Sequence, residues 1–107
     1  VVFLFYSSTN KIRLIIESNN VKHTDVNFLL SDVTDIHKYA VKYKDNNFAL
    51  WVDGLELWSK TSDNAPIGID RLDLNLAGSN PFFGKVKDLR VFNTALTDAE
   101  LTELTTI

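Results

Sequence analysis

The segment from residue 37 to residue 58 constrains the fold most, because two turn signals divide it into three apolar runs. Asp53-Gly54 is the stronger of the two signals. A type I′ turn needs positive φ at both central residues, and an Asp-Gly pair tolerates that conformation. We therefore predict that Phe48–Val52 and Leu55–Trp58 pair as antiparallel neighbours.

A weaker turn signal, Asp45-Asn46-Asn47, precedes the same apolar run. It places Tyr39–Tyr43 on the other flank of Phe48–Val52, which completes a three-stranded meander. Every residue of Phe48–Val52 is apolar, so this strand is predicted to lie at the centre and to be covered on both faces. Trp51 is accordingly expected in the core.

Length and composition indicate one globular domain over residues 1–107. The chain is 45% hydrophobic and 23% charged, with a net charge of −3 and no cysteine. Nucleic acids and anionic membranes bind concentrated basic surfaces, so neither is an expected partner. No apolar run reaches the roughly 18–20 residues that membrane insertion needs. The chain lacks methionine and begins inside an apolar run, from which we expect an excised piece of a longer protein.

Three segments at the start of the chain have strand patterns. Val1–Tyr6 is apolar throughout, as in a strand buried on both faces, whereas Lys11–Glu17 and Val21–Leu30 alternate. Asn19-Asn20 is the turn between the second and third segments. The inward residues are predicted to be Ile12, Leu14 and Ile16, with Ile15 breaking the alternation, and then Val26, Phe28 and Leu30.

The middle of the chain reads as loop, strand, turn and strand. Ser59–Gly68 is rich in loop-forming residues. Ile69–Leu76 has the most regular alternation in the chain and is predicted to point Leu72, Leu74 and Leu76 inward. Phe82–Asn93 is predicted to be the last strand.

The C-terminus changes from strand to helix periodicity. Thr97 and Glu100 have the spacing of a capping box, and Leu96 and Leu101 have that of a hydrophobic staple. A short helix is therefore predicted over Thr97–Thr105, with Leu101 and Leu104 packed on the sheets. About eight short strands followed by one helix are typical of an all-β sandwich.

Two motifs resemble one family. Residues 37–54, His-Lys-Tyr-Ala-Val-Lys-Tyr-Lys and then Phe-Ala-Leu-Trp-Val-Asp-Gly, resemble the centre of laminin-G-like, concanavalin A-like jelly-roll domains. Residues 83–104, with Phe-Gly-Lys-Val-Lys-Asp-Leu-Arg-Val-Phe-Asn-Thr-Ala-Leu-Thr-Asp-Ala-Glu-Leu, are similar to their closing strand and helix. Ile36 stands where the family has tryptophan, and the short chain suggests that opening strands are missing.

The resemblance implies a two-sheet antiparallel jelly-roll sandwich with a short C-terminal helix. It also implies a non-catalytic module that binds glycans or protein partners through rim loops or one sheet face. Such modules occur in secreted and cell-surface adhesins, beside polysaccharide-degrading enzymes, and in bacteriophage virions. An extracellular, cell-surface or virion location follows from it.

Catalysis is not expected. Related glycanases carry Glu-x-Asp-x-(x)-Glu on one strand, so that two carboxylates flank the glycosidic bond, and this chain lacks that spacing. Neither histidine lies in a nucleophile motif. His37 is interpreted as a residue at a strand start that hydrogen-bonds a loop, and His23 as a solvated strand position.

Trp58 is the main candidate for sugar binding, because it is out of phase with Leu55 and Leu57. An aromatic ring on the sheet surface offers a flat apolar face to a sugar, and Asp63 and Asn64 could bond its hydroxyls. Alternatively, Trp58 caps the edge of the core and the loop only covers it.

The other candidate ligand residues are Asn46, Asn80 and Phe82. One of Phe82 and Phe83 should point outward, either as a ligand contact or packed on the terminal helix. The loops at 45–47, 63–64 and 79–80 could also supply oxygen ligands to calcium, although turns need Asp and Asn for conformational reasons alone.

The leading hypothesis is a non-catalytic carbohydrate-binding or adhesion module that binds a glycan or polysaccharide. The alternative is a structural or assembly domain that contacts another protein chain. If opening strands are missing, an exposed sheet edge would favour a homo-oligomer.

Overall fold

The computed structural model describes residues 1–8, 10–30, 35–64, 66–69, 71–73 and 85–107. They form two compact units: Val1–Asp35 with Pro66–Val86, and Ile36–Ala65 with Lys87–Ile107. The elements in chain order are β1 Val2–Ser8, β2 Lys11–Ser18, β3 Val21–Leu29, β4 Tyr39–Lys44, β5 Asn47–Val52, β6 Leu55–Lys60, β7 Leu72–Asp73 and α1 Asp98–Thr105. The predicted all-β class, with two sheets and a short C-terminal helix, is confirmed.

The first unit holds a four-stranded sheet in the order β3-β2-β1-β7. Antiparallel pairing joins β1 to β2 and β2 to β3, whereas the short β7 runs parallel to β1. Asn19 and Asn20 have φ of 50° and 61° in the turn between β2 and β3. The predicted turn is confirmed, because asparagine adopts this left-handed conformation more readily than most residues do.

The core of this unit confirms the predicted phase of β2. Ile12, Leu14 and Ile16 are fully buried. Ile15 points to the opposite face, where it packs with Phe3 and Phe5 in a second buried cluster. Ile15 breaks the alternation because both faces of β2 are covered. In β3 the predicted phase also holds, with Val26 and Phe28 half-buried and Leu30 buried.

The second unit holds the predicted meander, a three-stranded antiparallel sheet in the order β4-β5-β6. Asp53 and Gly54 have φ of 52° and 83°, as the type I′ turn requires, and Asn46 has φ of 54° in the other turn. A Cβ at Gly54 would also lie 3.1 Å from the Thr106 hydroxyl oxygen. Every residue of Phe48–Val52 is buried, which confirms the central strand.

Helix α1 forms where the capping box predicts it. The Thr97 hydroxyl accepts the Glu100 amide at 3.2 Å, and Glu100 Oε1 accepts the Thr97 amide at 3.1 Å. The bonds that Glu100 Oε1 accepts from the Thr97 amide and from the Thr97 hydroxyl lower the pKa of Glu100. Leu101 is buried against β5 and Leu96 joins the same cluster, so the predicted staple is present.

Two strand predictions were wrong in the described part of the chain. Leu72 is 41% exposed rather than inward, because β7 is a two-residue edge strand that pairs with β1 alone. Residues 85–93 form no strand. Among the described residues no strand pairs with them, so their strand-like pattern has no hydrogen-bonded ladder to join. Four of their apolar side chains are exposed. These are Val86, Leu89, Val91 and Phe92.

Smaller differences concern boundaries. Strand β6 continues to Lys60, so the predicted loop begins two residues later than expected. Leu74, Leu76 and residues 82–84 lie outside the described residues, and the predictions for them stay predictions.

An ion pair joins β2 to β3 at the surface of the first unit. Arg13 Nε and Nη2 each donate to a carboxylate oxygen of Asp25 at 2.7 Å, and Lys22 lies 3.3 Å from the same carboxylate. The Arg13 hydrogen bonds, followed by the Lys22 bond, lower the pKa of Asp25. The folded state therefore favours the ionised carboxylate.

We predict that Asp25→Asn lowers the free energy of unfolding by about 0.5–1 kcal/mol at neutral pH, as for an exposed but bidentate pair. Because the pKa of Asp25 is lower when folded, its contribution is present above the unfolded pKa of about 3.9. It is lost as the pH falls through the folded pKa. Urea unfolding at neutral and acidic pH would show the mutant and wild-type stabilities converging in acid. A difference that persists unchanged in acid would contradict the assignment.

Candidate functional site

The three-stranded sheet has two faces of different character. Residues paired directly across antiparallel strands share a face, so the pairings sort the side chains. Ala49 and Trp51 of β5 contact α1 through Leu101. The opposite face carries Phe48, Leu50 and Val52, together with three aromatic residues from the flanking strands. These are Tyr39, Tyr43 and Trp58, paired with Val52, Phe48 and Leu50.

A β-bulge in β6 determines where Trp58 points. Leu55 pairs with Val52, but the register shifts between Leu50 and Trp51, so Leu57 is the extra residue and Trp58 pairs with Leu50. Trp58 therefore shares the face of Leu55, contrary to the phase that simple alternation gives. Its side chain is half-buried, as expected for a ring at the edge of a core that keeps part of its surface in water.

The structure brings three of the predicted ligand residues together at one end of this sheet. The Asn46 amide donates to the Asp63 carbonyl at 2.7 Å, which ties the β4–β5 turn to the loop after β6. The Asn64 amide donates to Asp63 Oδ1 at 2.8 Å, and Lys60 Nζ donates to Asp63 Oδ2 at 2.9 Å. Both Asp63 oxygens thus hold the loop in place, which is a structural role.

The remaining predicted ligand residues, Asn80 and Phe82, lie outside the described residues. Trp58 is two residues from Lys60 on β6, roughly 7 Å along the strand. The predicted ligand residues that the structure describes therefore amount to the half-buried Trp58 ring and the loop after β6, in which Asp63 is already hydrogen-bonded. Both carboxylate oxygens of Asp63 therefore already accept hydrogen bonds within the chain.

A cleft that the sequence analysis missed lies at the opposite edge strand. It has a volume of about 380 Å³ and is lined by Tyr43 and Lys44 from the end of β4 and by Asn93, Thr94 and Ala95 ahead of α1. Tyr43 is 37% exposed. Within the described ranges, none of the four polar lining side chains makes a hydrogen bond or ion pair. The phenol, ammonium, amide and hydroxyl groups are thus available to a ligand.

Only part of this cleft could have been found in the sequence. Tyr43 and Lys44 adjoin the predicted turn at Asn46, and Thr94 lies shortly before the predicted helix cap. No spacing rule, however, connects residues 43–44 with residues 93–95. Their proximity results from the packing of α1 on the meander.

His37 confirms the prediction of a strand-start residue that hydrogen-bonds a loop. Its side chain is 8% exposed, and Nδ1 lies 2.5 Å from Asp53 Oδ2 in the β5–β6 turn. Asp53 Oδ1 accepts the Lys38 amide at 2.9 Å. The adjacent Gly54 amide donates to the Thr105 hydroxyl at 3.0 Å. Asp53 thus fastens the turn to the start of β4 while its neighbour binds the end of α1.

His23 is less solvated than predicted. It is half-buried, and Nε2 lies 3.0 Å from the Ser18 hydroxyl across the β2–β3 turn. The nearest acid in sequence, Asp25, bonds Arg13 and Lys22 instead. A Ser-His-Asp relay also needs an acid to orient the histidine, and Asp25 does not serve as one here.

The described residues contain no group of three or more His, Asp or Glu side chains that could hold a metal ion. The loops at 45–47 and 63–64 do meet, but the Asp63 carboxylate is bonded to Lys60. The calcium hypothesis stays a prediction.

Comparisons with known proteins reveal one fold likeness. No family model matches the chain, and no curated protein matches it. A similar solved structure is that of residues 221–444 of an S-layer domain-containing protein from Clostridium thermocellum, with a TM-score of 0.54 and 15% identity. The match covers 94% of this chain and 59% of that one, so the chain spans less than two thirds of its neighbour. At this identity the likeness concerns the fold alone.

The described residues contain no helix that is long and apolar enough to span a membrane.

We predict that Asp53→Asn lowers the free energy of unfolding by about 2 kcal/mol, the range for a hydrogen bond to a charged group. Asparagine tolerates the positive φ at this position, so the change removes the carboxylate and preserves the turn. Urea unfolding monitored by tryptophan fluorescence measures the loss. Asp35→Asn, at an exposed acid, is the matched control and should change stability by only a few tenths of a kcal/mol. Equal effects of the two substitutions would show that Asp53 does not fasten the turn.

Proposed function

We propose that this chain is a non-catalytic carbohydrate-binding module of a cell-surface or extracellular protein. The observation that carries the proposal is the cleft beside β4, which is lined by the partly exposed Tyr43 and by three polar residues whose side chains have no hydrogen-bond or ion-pair partner among the described residues. A sugar ring has an apolar C–H face and a rim of hydroxyls. It therefore suits an aromatic ring flanked by hydrogen-bonding groups.

The composition of the cleft supports binding without catalysis. Glycoside hydrolysis requires a pair of carboxylates on either side of the bond. The five lining residues include no Asp or Glu. The resemblance to laminin-G-like domains, which are mostly non-catalytic, agrees with this role.

A surface location is supported by the fold likeness to an S-layer domain-containing protein. Proteins at a cell surface meet polysaccharide directly, so a sugar-binding module has a ready ligand there. The likeness suggests the location, and the cleft suggests the activity.

The second candidate is a structural or assembly domain that contacts another protein chain. It is favoured by the exposed apolar side chains of residues 85–93, where Leu89 is 62% and Val91 is 83% exposed. Clustered exposed apolar residues often mark protein contacts.

Calorimetric titration with a panel of soluble polysaccharides tests the proposal. We expect saturable binding that Tyr43→Ala weakens by about tenfold, because the apolar contact between the Tyr43 side chain and the sugar is lost. Trp58→Ala is the matched control. Trp58 lies on the other edge strand, roughly 10 Å away across β5. The Trp58→Ala variant should therefore bind the saccharide as tightly as the wild type does.

Three results would argue against parts of this account. Loss of binding in Trp58→Ala alone would move the site to the position that the sequence predicts. The absence of binding to every polysaccharide in the panel would overturn the carbohydrate function. Silence together with a solution mass above that of one chain would favour the assembly domain.

A further inference from the structure

The cleft beside β4 has a positive charge without an ion-pair partner among the described residues. Lys44 is the charged residue among its five lining residues, and it forms no ion pair with any described acid. The other lysine nearby, Lys42, is buried, and its Nζ lies 3.4 Å from Asp98 Oδ1. Asp98 therefore offsets the charge of Lys42, and the charge of Lys44 remains for a ligand.

The acids near this end of β4 have interactions of their own. Asp45, the next residue in the chain, is one of them. Glu100 accepts bonds from Thr97 in the helix cap. Asp63, whose carbonyl accepts the Asn46 amide in the turn after β4, bonds Lys60 through its carboxylate. A ligand carboxylate at Lys44 would thus meet an ammonium group together with the neutral donors of Asn93 and Thr94.

From this geometry we infer that the cleft selects saccharides that carry a carboxylate, such as uronic acid units. The inference rests on the proposed carbohydrate function and names its ligand class. Lys44 Nζ would donate to the carboxylate, Asn93 and Thr94 would bond ring hydroxyls, and Tyr43, which also lines the cleft, would contact the edge of the sugar. The volume of about 380 Å³ is at the small end of ligand pockets, which suits a short saccharide segment.

The net charge of the chain separates this selectivity from a general attraction for polyanions. With a net charge of −3, the molecule as a whole repels polyanions weakly and does not attract them. Tighter binding of an acidic saccharide would then be due to a local cation, Lys44. This binding would weaken at higher salt, because salt screens the contact between the ammonium group and the carboxylate.

The test compares a short oligogalacturonate with its fully methyl-esterified counterpart, which keeps the sugar and removes the charge. Calorimetric titration of the full chain should show the acid form binding roughly fivefold tighter than the ester, the scale of an exposed ion pair. Lys44→Gln should abolish that preference. Lys11→Gln, at an exposed lysine of the other unit, is the matched control and should retain it.

The outcomes separate this inference from the proposed function. Equal binding of acid and ester, or a preference that survives Lys44→Gln, overturns the inference and leaves carbohydrate binding in place. Binding of neutral glucans with no binding of either galacturonate form also overturns the inference alone. Absence of binding to every saccharide overturns both.

Discussion

The second unit depends on the burial of β5 on both faces. Phe48, Leu50 and Val52 are buried on one face, while Ala49 and Trp51 are buried on the other, where Leu101 of α1 packs. Side chains of a strand alternate between faces, so a strand without polar positions must be covered twice. Helix α1 covers one of these faces, while β4 and β6 pair with the two edges of β5.

The cleft follows from the same arrangement. Tyr43 and Lys44 end β4, and residues 93–95 approach them because α1 is held on the Ala49 and Trp51 face. Lys42 reinforces this position. It pairs with Ala49 and is 6% exposed, and a buried ammonium is costly without a partner. Asp98 in the first turn of α1 supplies that partner, where a negative charge also suits the helix dipole.

Local signals account for what the sequence predicted correctly. The Asp53-Gly54 turn, the Asn19-Asn20 turn and the Thr97 cap each depend on residues that are adjacent or three apart, so their chemistry can be read directly. The central position of β5 followed from its uninterrupted apolar character. His37 was correctly assigned to a loop hydrogen bond, although its partner Asp53 could not be named, because the contact depends on register.

Signals that depend on non-local pairing were the ones that failed. The bulge at Leu57 reverses the phase of Trp58, and a single extra residue leaves no mark in an apolar stretch. Leu72 and residues 85–93 have strand-like patterns, yet a strand also needs a neighbour. Asp63 seemed suited to a sugar until Lys60 and the Asn46 turn were placed around it, and the cleft joins residues that are about fifty positions apart.

Amide hydrogen exchange of β5, followed by NMR, tests the central claim most directly. If burial on both faces anchors the unit, the amides of Phe48–Val52 exchange only when the whole unit unfolds. We then expect them to be at least about a thousandfold slower than those of residues 85–93. Exchange of the β5 amides at rates similar to those of residues 85–93 would contradict the account, because the cleft would then have no fixed support.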